Sequence, residues 1–310
     1  MRARKLHSDE LDIDVPLVRR LLAAQLPQWA DLPLELVDSS GSDNVLYRLG
    51  DDMVVRLPRR SGRTEDSLDK ECEWLPRLAP LLPLAVPLPL ALGAPGEGYP
   101  CRWAVYRWLE GEAATVGNLH DPHVAARDLA RFLAALQRID TTGAPSVGEH
   151  NFFRGVPLAA RDAGTRRAIA ALDGKIDVAA VTAAWEAALR APDWEGPPVW
   201  IHGDFSDGNL LAARGRFSGV IDFGGIAVAD PACDLMAAWC FLPAEAREVF
   251  RAELSVDDAT WARGRGWALS VALIALPYYW TTNPVRVAVS LRRIEEALAD
   301  HAPGGGGGQT

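Results

Sequence analysis

Between residues 34 and 57 the chain carries three short runs of β-type residues, at 34–39, 44–49 and 53–57, the last two joined by the turn-forming Gly50-Asp51-Asp52. Runs of this kind around a tight turn predict a small antiparallel sheet. From 64 to 82 the period changes, with Leu68, Cys72, Leu75, Leu78 and Leu82 three or four apart, the spacing of one helix face. Prolines at 80, 83, 87 and 89 end that pattern, and 99–108 predicts a further strand. Beyond about Asp121 the reading is helical. Val124, Leu129, Phe132, Leu133, Leu136 and Ile139 form one apolar stripe, and Ala- and Leu-rich segments around 178–190, 232–251, 258–276 and 284–300 predict further helices. Only 210–213 and 217–222 interrupt them, as a short hairpin with Gly215 in its turn. The expected organisation is an N-terminal lobe over 1–107, a C-terminal lobe over 108–302, and a Gly-rich tail over 303–310 that has nothing to pack and is expected to be flexible.

With 310 residues, 49% of them apolar, the chain can bury a sizeable core. The formal charge of -9 disfavours nucleic acid as a partner, since such proteins usually present a basic face to the phosphates, and it favours a cationic ligand. Met1-Arg-Ala-Arg-Lys is followed by Asp9, Glu10, Asp12 and Asp14 where a signal peptide needs an apolar run, so a cytoplasmic protein is expected. The apolar stretch 78–92 is broken by prolines, and no membrane span is predicted. Cys72, Cys101, Cys233 and Cys240 form no Cys-x-x-Cys pair and read as reduced thiols.

The chemistry concentrates in Ile201-His-Gly-Asp204-Phe-Ser-Asp-Gly-Asn209 and, thirteen residues on, Val220-Ile-Asp222-Phe-Gly224. Phosphoryl transfer needs one carboxylate to orient the attacking hydroxyl, and an amide oxygen and a second carboxylate to hold divalent ions against the polyphosphate. Asp204, Asn209 and Asp222 supply that set. His-x-Asp alone, or Asp-Phe-Gly alone, is common. Their combination with an Asn five residues after the first Asp is specific. No Gly-x-x-x-x-Gly-Lys loop and no Gly-x-Ser-x-Gly elbow is present, which removes phosphate-loop NTPases and α/β-hydrolases.

Over roughly residues 15 to 300 the sequence resembles the aminoglycoside phosphotransferase family, whose fold is that of the protein kinases. The resemblance implies an α+β, two-lobed kinase-like fold, with a small antiparallel-sheet N-lobe carrying one main helix and a larger, mostly helical C-lobe. It implies Asp204 as catalytic base, Asn209 and Asp222 as ligands of two magnesium ions, and His202 and Asp234 as loop braces. For the nucleotide, ATP or GTP, it implies Ser42 in a phosphate-covering loop at 39–44, Arg56 at the position of the usual strand lysine with Glu71 or Glu73 as its helix partner, and backbone contacts at Arg107 and Leu109 in the segment joining the lobes. Arg56 departs from the family's lysine, because a guanidinium is bulkier and grips as a fork. Tyr106, placed where it limits how deeply a base enters, leaves GTP an alternative to ATP.

The acceptor implied is a cationic, aminoglycoside-type antibiotic, which asks for carboxylates beyond those needed for metal: Asp207 inside the catalytic loop, with Glu295 and the less specific Asp162, Glu296 and Asp300. Against it, Trp261, Trp267, Tyr278, Tyr279 and Trp280 cluster late in the chain and would suit a bulky macrolide. A metabolic kinase of the same fold shares every catalytic residue. A nucleotide-binding pseudokinase is the reading from a different class, suggested by Arg56 and the glycine-poor loop.

Overall fold

The computed structural model describes residues 10–37, 43–61 and 65–301. Ser42 and most of the 39–44 loop, like the 303–310 tail, lie outside the described residues. The chain packs as two compact units, the first running through Gly111 and taking back residues 218–224, the second formed by 112–217 and 225 onward. The sequence had divided the lobes after residue 107. It did not foresee that the segment bearing Asp222 packs with the first unit.

The first unit is a five-stranded antiparallel sheet ordered β1-β2-β3-β5-β4, from β1 (Leu34–Leu36), β2 (Asn44–Leu49), β3 (Met53–Pro58), β4 (Pro89–Gly93) and β5 (Trp103–Arg107). Period-two alternation sends Val45, Tyr47, Leu49, Met53, Val55 and Leu57 to one face, where α1 (Val15–Gln25) covers them with Leu17, Val18, Leu21 and Leu22. Asp14 caps α1, accepting from Leu17 N at 2.9 Å. This helix and β4 went unread in the sequence. β4 tolerates Pro89 at its first position because it is an edge strand, with a register shift between Pro89 and Ala91. Gly93 is dictated by packing: a Cβ there would lie 1.9 Å from the buried Trp103 ring.

The opposite face of β3 and β5 carries Arg56 and Tyr106, for register pairs Arg56 with Ala104 and Val54 with Tyr106. The residue α2 (Glu65–Leu78) offers to this group is Glu71. Leu68, Glu71, Leu75 and Leu78 form its buried stripe, so a carboxylate occupies a position where a leucine is expected. The helix is shorter than the 64–82 reading, because the chain passes into a 3-10 turn at Ala79–Leu81.

The second unit is mostly helical. It contains β6 (Glu112–Ala113), α3 (Pro122–Gln137), α4 (Asp162–Ala171), α5 (Val178–Leu189), β7 (Val199–Ile201), β8 (Leu210–Ala213), part of β9 (Arg216–Val220), β10 (Ala227–Ala229), α6 (Ala237–Phe241), α7 (Ala244–Leu254), α8 (Asp258–Tyr279) and α9 (Pro284–His301). The helix expected over 232–251 is three pieces: a 3-10 segment Pro231–Met236, then α6, then α7 behind Pro243. Two glycines let α8 approach its neighbours, since a Cβ at Gly264 would stand 2.7 Å from Leu235 and one at Gly266 2.6 Å from Leu158. Among the described residues no helix is long and apolar enough to cross a membrane. All four cysteines are free.

Candidate active site

In the second unit β7 pairs with β10 and delivers the chain into the loop 202–209. Gly203 turns with φ +82°, and a Cβ would lie 2.8 Å from the Gly225 carbonyl oxygen, so only glycine fits without displacement. Asp234 holds the turn: it accepts from His202 N at 2.6 Å and Gly203 N at 2.8 Å. Burial pushes its carboxyl up to about 6, against the lowering effect of His202 and those two N–H groups. Asp234 is itself placed by the 231–236 turn, whose N-terminus Asp230 caps by accepting from Ala232 N, while buried Arg263 of α8 grips Asp230 at 2.8 Å. Inside the loop the buried His202 ring accepts at Nδ1 from Asp204 N, and Phe205 packs against His202 and Phe132.

Asn209 Nδ2 donates to the Asp204 carbonyl oxygen at 2.9 Å and to its Oδ2 at 3.1 Å. Those bonds use the amide nitrogen and orient the amide oxygen as the remaining donor, the hard-oxygen type that magnesium takes. Asp204 is part-exposed, and Arg154 Nη2 stands 3.6 Å from its Oδ1. Nothing in the sequence flags Arg154, fifty residues upstream.

In the first unit the fork of Arg56 meets two carboxylates. Nη1 donates to both oxygens of Glu71, at 2.9 and 2.7 Å, and Nη2 reaches Asp222 Oδ1 at 3.4 Å. Asn44, with its amide oxygen turned to the guanidinium, accepts from Nε at 3.0 Å and Nη2 at 3.2 Å. Glu73 points to solvent and pairs with Arg77. Burial works against the charge on Arg56, but Glu71, Tyr106 and Asp222 outweigh it and raise its pKa. The Tyr106 hydroxyl donates to Glu71 Oε2, and burial followed by the charge of Glu71 pushes its pKa well up. Fully buried Glu71 is thus satisfied by a cation on one side and a phenol on the other. Asp222 sits just past β9 with φ +66°, and Lys70 Nζ donates to Gly224 O at 2.7 Å, tying that segment to α2. The N–H of Arg107 is taken by Leu88 O, and Leu109 lies past the end of β5.

The acceptor-side expectations fare differently. Asp207 is engaged by Arg293 at 2.7 Å and Arg292 at 3.8 Å, so its charge is neutralised rather than free for an ammonium group. Glu296 pairs with Arg247, Asp300 with Arg265, and Asp162 with Arg166 and the Trp185 indole. Glu295 is exposed on α9. Tyr279 packs edge-on against Tyr278 and under the Arg286 guanidinium, while Trp261 and Trp267 are core. Among the described residues no cluster of three His, Cys, Asp or Glu is placed to hold a metal ion.

The fold and the family pattern that it carries are those of a phosphotransferase with an alcohol group as acceptor. The sequence pattern of the phosphotransferase enzyme family matches residues 36–267, and the chain belongs to that family. Solved structures of similar fold include the GDP complex of wild-type aminoglycoside 2'-phosphotransferase-IIIa, with TM-score 0.68 and 18% identity over 94% of this chain and 100% of that one. The streptomycin-ATP-APH(2")-IIa ternary complex matches with TM-score 0.59 and 20% identity, over 85% and 91%. Macrolide 2'-phosphotransferase MphH from Brachybacterium faecium, as apoenzyme, matches with TM-score 0.60 and 25% identity, over 94% and 99%. No curated protein matches the sequence.

Proposed function

We propose that this protein is an antibiotic kinase that moves the γ-phosphate of ATP or GTP directly onto a hydroxyl of its acceptor. The observation that carries the reading is the Asp204–Asn209 pairing on a loop braced by Asp234. Asp204 acts as base toward the acceptor hydroxyl. Asn209 and Asp222 offer the oxygen ligands for magnesium, which when bound neutralises charge on the polyphosphate. Arg56, fixed by Glu71, is the phosphate-side cation of the nucleotide-binding unit, with Ser42, Tyr106, Arg107 and Leu109 as the other nucleotide contacts.

Aminoglycosides are the leading acceptor class, on the strength of the family resemblance and the aminoglycoside complexes among similar structures. A macrolide is the second reading. It is favoured by the neutralisation of Asp207, Asp162, Glu296 and Asp300 by arginines, and by aromatic side chains left exposed at Phe152, Phe153 and Tyr278. Release of ADP or GDP measured with kanamycin, gentamicin, streptomycin, erythromycin and a panel of metabolite alcohols as acceptors tests this. Turnover with an antibiotic is the expected result. Turnover with metabolites alone would overturn the antibiotic assignment, and nucleotide binding without turnover on any alcohol would point to a pseudokinase.

A further inference from the structure

We propose that Arg154 is a further catalytic residue, whose guanidinium contacts the phosphoryl group as it passes to the acceptor oxygen. The inference rests on the assignment of Asp204 as base. An acceptor hydroxyl giving its proton to Asp204 must lie ~2.7 Å from the carboxylate, with the reacting phosphorus one bond further. The Arg154 guanidinium stands beside the same carboxylate, 3.6 Å from Oδ1. That distance exceeds a hydrogen bond, so Asp204 does not consume its donors. Among the described residues Asp204 is also the only carboxylate within 4.0 Å of Arg154.

The loop that carries Arg154 is built to hold it there. Buried Asn151 accepts from Gly148 N at 3.0 Å and donates to Arg154 O at 3.0 Å, closing the turn on itself. Phe152 and Phe153 adopt left-handed φ of 55° and 54°, and Gly155 follows at φ +90°. A Cβ on Gly155 would fall 2.3 Å from Ala229 and 2.8 Å from Ile201, so the loop is pressed onto β10 and β7, the strand that leads into the catalytic loop. Backbone strain of this kind persists only where surrounding packing over-determines it. Its Nη1 rests against Met236 Sδ at 3.9 Å, an uncharged neighbour, so that among the described residues Asp204 alone offsets the guanidinium's charge.

A second arginine reinforces the field. Arg161 donates from Nε to Ser270 Oγ at 2.8 Å and stacks 4.8 Å from the Trp267 ring, with no carboxylate within 4.0 Å among the described residues. Burial, and then the charge of Arg154, hold its pKa down to about 10. Two arginines that repel one another, one of them touching the base, form a place that an incoming anion relieves. The transferring phosphoryl group is that anion.

In the step so described, the acceptor O–H proton moves to Asp204 as the oxygen bonds to phosphorus. The bond from phosphorus to the β,γ-bridging oxygen breaks, and the nucleoside diphosphate leaves with its electron pair. Asp204 later returns the proton to solvent. Arg154 stabilises the phosphoryl oxygens through charge-assisted hydrogen bonds, the type of contact whose loss typically costs about a hundredfold or more in kcat.

The test uses the full-length wild type, Arg154→Ala, Arg154→Lys and Asp204→Asn. Each is checked for folding by urea denaturation and for nucleoside diphosphate affinity by calorimetry. Tetrafluoroaluminate with magnesium and GDP or ADP serves as the phosphoryl mimic, so capture is read without an acceptor, and turnover is read with the fastest acceptor of the panel above. Arg154→Ala is expected to bind the diphosphate like wild type, to lose capture of the fluoride complex seen by fluorine NMR, and to lose about a hundredfold in turnover, partly restored by millimolar guanidinium. Arg154→Lys is expected to fall between the two. Wild-type capture of tetrafluoroaluminate by Arg154→Ala, or a turnover loss that guanidinium leaves unchanged, would overturn the proposal. Undiminished turnover by Asp204→Asn would instead remove the assignment of the base on which it rests.

Discussion

Two fully buried carboxylates, one in each unit, are stabilised in opposite ways. Glu71 is held by charge and side chains: the Arg56 fork takes both its oxygens, and the Tyr106 phenol adds a third bond. Asp234 is held by backbone, through the N–H groups of His202 and Gly203, and has no arginine or lysine partner among the described residues. The difference shows in their surroundings. Glu71 raises the pKa of its partners, whereas Asp234 itself is pushed up by burial that two N–H groups only partly offset. A charge network orients a flexible side chain, which in the proposed function meets the phosphates. Backbone bonds fix the path of a loop whose side chains must not move.

The comparison can be broken most forcefully at Glu71. Replacing it by alanine leaves the largely buried Arg56 facing only Asp222 and Asn44, and truncating one partner of a buried ion pair costs about 3–5 kcal/mol. We expect a loss near the lower end in urea unfolding, because Arg56 retains partial solvent access. A double-mutant cycle with Arg56→Ala should return a coupling of at least about 1 kcal/mol, and additivity would show that the pair is not a functional unit.

At the other carboxylate the weak point is the backbone it holds. Gly203→Ala forces a side chain into φ +82° and into the Gly225 carbonyl, and is expected to cost about 1–3 kcal/mol together with most of the activity. Unchanged stability would mean that the loop can shift without loss.

Tyr106→Phe separates the two possible uses of this residue. Loss of the hydroxyl is expected to cost about 1–2 kcal/mol, because it removes a hydrogen bond to a buried charge. It should weaken ATP and GTP equally by loosening Glu71 and Arg56. A change confined to the ratio of the two nucleotides would assign Tyr106 to base choice alone.

The smallest effect expected is a pH dependence. Asp234 has a folded pKa of about 6, above its ordinary value near 4, so its proton favours the folded state. Its contribution is present below about pH 4 and is lost as pH rises through about 6. The stability of wild type relative to Asp234→Asn should therefore decline across that interval when measured by urea unfolding. A difference independent of pH would show that Asp234 does not titrate in this range.

Much of this architecture was legible in the sequence where the information is local. The loop 202–209 could be read because its turn glycine, Asp and Asn lie within one short stretch, and the strands 44–49 and 53–57 because their alternation is strict. Glu71 carried a signal of its own, a carboxylate inside the buried stripe of Leu68, Leu75 and Leu78, which demands a cation nearby. What failed was tertiary. Arg154 reaches Asp204 only because a left-handed turn and Gly155 press its loop onto β7 and β10, and no spacing encodes that. Asp207 looked free for a cationic substrate until α9 folded Arg292 and Arg293 against it. Strand β4 was hidden because it begins at Pro89, soon after Pro83 and Pro87, and a proline that would break a central strand is tolerated at an edge.

The most direct measurement is of Asp204→Asn, comparing turnover with nucleotide affinity in the same preparation. The account predicts a fall in kcat of about a thousandfold or more, with the dissociation constant for ATP or GTP little changed, since Asp204 serves the acceptor hydroxyl and not the nucleotide. Turnover within a few-fold of wild type, or a loss explained wholly by nucleotide release, would contradict the role assigned to Asp204.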